Sequence, residues 1–299
     1  MINVKNVSKR FENQSVLKEV HFSIDKGSIY GLLGSNGAGK TTLLKIISGI
    51  LTQDKGHVFI DDSPVFEQIQ IKDKVVFLPD TLYFFPQYTI RQMAEFYRNI
   101  YTQWNEERFQ RLSDVFEIDI DKKIHKLSKG MQRQVAFWLA MSAMPEILVL
   151  DEPLDGLDPV MRKKVKNLLV QDVAEREMTV LISSHNLREV EDICDHIGIL
   201  HKGSIILEKD LDDLKSDVHK VQVAFKKNVP NKLFDNVDLL FKEERGSVLL
   251  CIVRGNQADV MMHFKTFEPD IFDILPLTLE EIFIYEMGGV GYAIKNILV

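Results

Sequence analysis

Two stretches of the chain hold residues whose types and spacing suit phosphate chemistry. The first, Gly34-Ser35-Asn36-Gly37-Ala38-Gly39-Lys40-Thr41, fits G-x-x-x-x-G-K-[ST]. Glycines let backbone N–H groups converge on phosphate oxygens without a Cβ in the way. A helix that starts at such a loop turns its positive end towards the same anion. Lys40 would reach the β- and γ-phosphates, and Thr41 would offer a hydroxyl to Mg²⁺. With Ser35, Asn36, Gly37, Ala38, Gly39 and Thr42 they form the candidate ATP-binding set.

The second stretch is Ile147-Leu148-Val149-Leu150 running into Asp151-Glu152-Pro153. Acids at the C-terminal end of a buried strand stand where ligands bind in open α/β sheets. Asp151 would hold Mg²⁺ through water, and Glu152 would orient or deprotonate an attacking water. His185 follows Ser183-Ser184 at the end of another apolar run. A single histidine is more often structural than catalytic, but this position suits contact with a γ-phosphate.

The elements that must carry these residues are legible in outline. Residues 2–7 and 21–24 alternate as strands do, and Ile29–Leu33 is a compact apolar run ahead of the Gly-rich loop. A helical pattern runs from Lys40 to about Ser48. Residues 80–145 read as helices: Thr89-Ile90-Arg91-Gln92 is a capping box, Asn105-Glu106-Glu107 a cap with first-turn acids, and Ser128 a start ahead of Ala143 and Pro145. Residues 147–150 and 179–183 suit central parallel strands, with a helix at about 159–176 between them. Such alternation implies an α/β layered core. The charged stretch 210–217 reads as a linker. Beyond it, strands at 221–225, 238–242 and 247–253 and helices near 257–266 and 278–286 predict a small α+β accessory domain over 219–299.

Composition narrows the classes. A length of 299 residues suits about two domains. With 45% hydrophobic and 27% charged residues the chain is of ordinary globular type, not disordered or fibrous. There are 37 Lys+Arg against 44 Asp+Glu, a net charge of −7, which speaks against a dedicated nucleic-acid binder. Two cysteines, Cys194 and Cys251, make no disulfide framework and fit a reducing compartment. No run reaches the roughly 18 apolar residues of a membrane span, and the start lacks the apolar core of a secretion signal. The expected location is cytoplasmic, with any membrane link made through a partner.

Between the two stretches lies Leu127-Ser128-Lys129-Gly130-Met131-Gln132. With it the sequence resembles the ATP-binding cassette (ABC) family, whose signature is L-S-G-G-Q. The resemblance rests on the phosphate loop, the signature, Asp151-Glu152, the loop Leu154-Asp155-Gly156-Leu157-Asp158 and His185, and covers about residues 1–215. It implies a RecA-like P-loop NTPase core with an antiparallel β subdomain and a helical signature subdomain at about 85–143. It implies ATP and Mg²⁺ as ligands, and two such domains meeting head to tail. ATP would then lie between the phosphate loop of one and Ser128, Lys129, Gly130 and Met131 of the other, with Asp158 in the dimer loop. Phe11 matches the position of the adenine-stacking aromatic. The L-S-K-G-M form is similar to that of bacterial drug- and peptide-exporter subunits, though Lys129 and Met131 depart from the family pattern. So does Asp80, in Phe77-Leu78-Pro79-Asp80, which stands where the family usually has a Gln touching Mg²⁺ or its water. Asp80 is shorter and charged, so the resemblance implies contact with the metal through water. The aromatic stretch Thr81–Tyr88 resembles the groove that receives a helix of the membrane subunit, with some rings expected inside and some exposed.

The expectation is the ATPase subunit of an ABC exporter, peripheral on the inner face of the membrane. A permease chain and a second ATPase subunit, identical or a sister, would be its partners, and nucleic acid would not. A soluble ABC ATPase acting on ribosomes or DNA commonly carries two cassettes, a coiled coil or zinc-binding inserts, none of which is seen here. A non-catalytic scaffold fits poorly with Glu152 and His185 both present.

Overall fold

The computed structural model describes residues 1–226 and 229–288; residues 227–228 and 289–299 of the expected accessory domain lie outside them. The chain divides into two compact units, Met1–Glu208 and Lys209–Val299.

The first unit opens with β1 (Ile2–Phe11), β2 (Gln14–Ile24), β3 (Ile29–Leu33), α1 (Lys40–Ile47), β4 (Lys55–Ile60), β5 (Ser63–Pro64), α2 (Ile69–Lys74) and β6 (Val75–Leu78). It continues with α3 (Ile90–Ile100), α4 (Glu106–Phe116), α5 (Lys129–Ser142), β7 (Ile147–Asp151), α6 (Pro159–Arg176), β8 (Thr179–Ser184), α7 (Leu187–Glu191), β9 (His196–His201) and β10 (Ser204–Asp210), whose last two residues fall past the unit's end. Two sheets result, ordered β2-β1-β4-β5 and β10-β9-β3-β8-β7-β6. In the first, β1 pairs antiparallel with both β2 and β4. In the second, β3 runs parallel to β8 and β9, and β7 runs parallel to β6 and β8.

Every residue of β3, β7 and β8 is buried, as expected of parallel strands covered on both faces. That is why these strands show as unbroken apolar runs, whereas β2 shows alternation. One core joins the two sheets through Ile2, Phe22, Tyr30, Leu44, Val149 and Leu181, among others. Because β6, β7, β8 and β3 share one direction, their C-terminal ends lie on one edge. The loops leaving that edge begin at Pro79, Glu152, His185 and Gly34.

Several helices start at side-chain caps. Thr89 and Gln92 form the reciprocal capping box of α3, Asn105 caps α4, and Asp158 caps α6 through the amides of Val160 and Met161. The Ser128 hydroxyl accepts from the Met131 amide at 3.3 Å and opens α5. From Gln134 onward α5 is buried, so one helix runs from a surface start into the core. Trp138 anchors it, stacked 4.8 Å from Phe109, with its indole N–H donating to the Phe109 carbonyl at 2.8 Å.

The second unit holds α8 (Leu211–Asp217), β11 (Val218–Ala224), β12 (Asp238–Arg245), β13 (Val248–Arg254), α9 (Gln257–Lys265), β14 (Ile271–Leu275) and α10 (Leu279–Gly288). Its sheet, ordered β12-β13-β11-β14, is antiparallel at each pairing. Val221, Val223, Cys251 and Phe264 lie in its core. The expected linker at 210–217 is a correction: these residues form α8, because the Asp210 carboxylate caps the amides of Asp212 and Asp213 while Leu211 and Leu214 are buried. High charge hid a short amphipathic helix.

Candidate functional site

The loop after β3 is shaped by residues that tolerate no side chain. A Cβ on Gly34 would lie 2.4 Å from the Leu200 carbonyl oxygen. Gly39 has φ +111°, and a Cβ there would meet Leu17 at 2.9 Å and the Val16 oxygen at 3.0 Å. Both positions require glycine. Gly39 directly precedes α1 and offers no side-chain cap, so the first amides of that helix stay available to an anion. The Lys40 ammonium, buried, donates to the Gly34 carbonyl at 2.6 Å and lies 3.2 Å from Glu152 Oε1.

The strand ends supply the acids. Asp151 is buried and accepts two hydroxyls, from Thr41 at 2.6 Å on Oδ2 and from Ser183 at 2.6 Å on Oδ1. Glu152 leaves the strand with φ +46°, in the left-handed region. Its amide donates to both the carbonyl and the hydroxyl of Ser183, each at 3.2 Å. Its carboxylate Oε2 accepts from the His185 amide at 3.2 Å and faces His185 Nδ1 at 2.9 Å. Glu152, Asp155 and His185 bring one ligand atom each within 4.8 Å of one another, a grouping able to hold a cation. On α7, burial pushes the Glu189 carboxyl above its ordinary value, opposed by the Arg162 guanidinium 3.1 Å away.

Most sequence-predicted residues meet here. A cleft of about 280 Å³ is lined by Val16, Ser35, Asn36, Gly37, Gly39, Lys40, Thr41, Thr42, Asp80 and Glu152. Asp151 joins it through Thr41, and His185 through Glu152. Ala38, within the loop, is buried. Phe11 stands outside this lining, at the end of the β1–β2 hairpin opposite Gln14, 45% exposed, with Lys9 Nζ 5.6 Å from its ring centre. Lys129 lines a second cleft with Asp80, Arg133, Asp155 and Gly156. Ser128, Gly130 and Met131 lie at the same helix start; a Cβ on Gly130 would come 2.7 Å from the Gly156 oxygen, so the signature packs directly on the loop leading to Asp158.

Two residues were missed by sequence reading. Ser183 orients Asp151 and Glu152 together, and the signal was a hydroxyl at the end of the strand paired to β7. Arg133 donates to the Glu152 carbonyl at 2.5 Å and to the Asp80 carbonyl and carboxylate at 2.7 and 3.2 Å. Nothing in the local sequence marked it. The carboxylate of Asp80, expected near a metal through water, has Arg133 as its direct partner.

The family profile described as ABC transporter matches residues 17–155. The ABC transporter ATP-binding protein YtrB of Bacillus subtilis is 34% identical over 289 residues, 97% of this chain and 99% of that protein. The chain belongs to the ABC transporter family of ATP-binding proteins. The linearmycin resistance ATP-binding protein LnrL of Bacillus subtilis is 32% identical over 69% of this chain and 68% of its own length. The bacitracin transport ATP-binding protein BcrA of Bacillus licheniformis is 28% identical over 97% of this chain and 98% of its own. A solved ATP-binding subunit of an ABC transporter superposes with a TM-score of 0.67 at 27% identity, covering 72% of this chain and 92% of that one. A bacterial ABC transporter cassette solved as a dimer gives 0.65 at 25% identity, over 71% and 99%. The expected α/β cassette fold is thus borne out, and the chain carries an ABC-type ATPase domain that binds ATP or ADP. Domains of this family dimerise and work with membrane permeases. Among the described residues no helix is long and apolar enough to cross a membrane.

Proposed function

We propose that this chain hydrolyses ATP to drive export of an amphipathic or antimicrobial compound, peptide or drug, through a separate permease. The observation that carries the ATPase site is the convergence of Lys40, Thr41, Asp151 and Glu152 at one sheet edge. The glycine-shaped loop and the start of α1 would cradle the phosphates, and Lys40 would place its charge on the β- and γ-phosphates.

The residues present fit Mg²⁺. The Thr41 hydroxyl and the buried Asp151 carboxylate, 2.6 Å apart, are the hard oxygen donors that ion takes. When bound, it would neutralise charge developing on the phosphate oxygens. Ser183 keeps the Asp151 carboxylate turned towards Thr41. Glu152 would orient the attacking water and receive its proton on the carboxylate, with His185 holding Oε2. Asp80 lines the same cleft and would meet the ion through water.

Ser128, Lys129, Gly130 and Met131 would contact the γ-phosphate held by a second cassette, and Asp158 would lie at that junction. The amide groups at the start of α5 support such an anion contact. Phe11, solvent-exposed, would stack on the adenine. Tyr83, 77% exposed, and the Phe85–Tyr88 pair support a permease contact on the inner face of the membrane. The export reading and the compound class draw on the names of the linearmycin and bacitracin relatives.

The test is co-purification from membranes followed by ATP hydrolysis and uptake into inverted vesicles. An associated permease, Mg²⁺-dependent turnover and ATP-driven accumulation of a candidate compound are expected. Recovery on ribosomes without any permease would contradict the transport reading.

A further inference from the structure

We propose that Arg133 is a positioning residue of the hydrolytic site, one guanidinium that ties the Asp80 loop and the backbone of Glu152 to the signature helix. Its function in turnover rests on the ATPase reading above.

Arg133 sits in the first turns of α5, with its side chain 13% exposed. Its Nη1 donates to the carbonyl of Glu152 at 2.5 Å. Its Nη2 donates to the Asp80 carbonyl at 2.7 Å and to Asp80 Oδ1 at 3.2 Å. The three acceptors belong to loops that leave β6 and β7, two neighbouring strands. Only a planar fork of fixed donors bridges such a set; a lysine presents one point charge and cannot keep the same directions.

What the fork holds is unusual. Glu152 is a non-glycine residue at φ +46°, a conformation that persists where surrounding contacts over-determine it. Ser183 fixes its amide, and Arg133 fixes its carbonyl. The peptide that aims the Glu152 carboxylate at Lys40 and His185 is therefore held from both sides. The acid at position 80 also finds its explanation here, since it adds a charge-assisted contact to the bond its own carbonyl already accepts. The loop that goes on to Tyr83 and Phe85 is by this contact fastened to the same side chain as the hydrolytic carboxylate.

The test compares Arg133→Gln and Arg133→Lys with the unaltered chain, full length. Equilibrium ATP binding is expected to stay within about threefold, while turnover falls on the order of 10- to 100-fold, the scale of a misplaced catalytic group. Lysine is expected to restore little, because charge alone does not reproduce the fork. Asp80→Asn, which keeps the carbonyl contact, is expected to have the smaller effect. Hydrogen exchange supplies a readout apart from activity: the hydrogen-bonded amide of Tyr88 in the loop after β6 and those of Glu152 and Asp155 in the loop after β7 should lose protection together in Arg133→Gln, while those of α1 do not. A fall in turnover that follows weakened ATP binding overturns the proposal, as does unchanged protection in either loop. If the unaltered chain hydrolyses no ATP, the ATPase reading fails, and the exchange result still decides the linkage. If Arg133→Gln does not fold, Arg133→Lys carries both measurements.

Discussion

The Lys40 ammonium lies 3.2 Å from the Glu152 carboxylate, and their side chains are 7% and 13% exposed. Lys40 follows β3 and Glu152 follows β7, so the pair spans the end of the intervening β8. The same geometry gives the Gly34–Gly39 loop a buried cation and gives the Glu152 carboxylate a fixed direction. Removing one member of such a pair leaves the other partly buried and uncompensated.

Lys40→Ala is expected to weaken ATP binding sharply with the fold intact, measured by equilibrium binding of a labelled nucleotide. Binding within twofold of the unaltered chain contradicts the phosphate-loop assignment. The double variant Lys40→Ala/Glu152→Gln is expected to melt higher than Lys40→Ala, because the lone carboxylate is gone. Melting temperatures that simply add would show the pair to be uncoupled.

Trp138→Ala is expected to destabilise the first unit by roughly 3–5 kcal/mol, the range for deleting a large buried aromatic. It removes the stacking on Phe109 and Phe116 and leaves the Phe109 carbonyl without its indole donor. Urea unfolding followed by the remaining Trp104 reads it. A loss under about 1 kcal/mol would mean that the packing of α4 on α5 is not anchored there.

Both cysteines are expected to resist alkylation at pH 8 in the native chain. Burial pushes the Cys194 thiol far up and that of Cys251 up to about 11, and the thiolate is the reacting form. A raised thiol value means the neutral form prevails throughout neutral pH, so modification should await unfolding. Rapid labelling of the folded protein, followed by mass spectrometry, would contradict this burial.

Legibility from sequence followed the physics of each element. The strands β3, β7 and β8 could be read because a doubly covered parallel strand must be apolar throughout, and the caps at Thr89, Asn105 and Ser128 because each helix start needs acceptors. The glycine pattern of 34–39 was legible because only glycine fits against Leu200 and Val16. The partners of Asp80 were not, since Arg133 lies 53 residues away and meets it only through the β6–β7 pairing and the placement of α5. Ser183 was seen at a strand end, but its bond to Asp151 depends on the parallel register of β7 and β8. Helix α8 escaped because seven residues with several charges carry too little periodicity.

The most direct test of the ATP-driven cassette is Glu152→Gln in sizing chromatography with ATP and Mg²⁺. Loss of general-base assistance is expected to slow turnover by roughly 10²–10⁴-fold while Lys40, Thr41 and Asp151 still hold the nucleotide. The account predicts a stable dimer with ATP, none with ADP, and its loss on adding Ser128→Arg at the start of α5. A Glu152→Gln chain that stays monomeric at high protein and ATP, alone and with the co-purified permease, would contradict it.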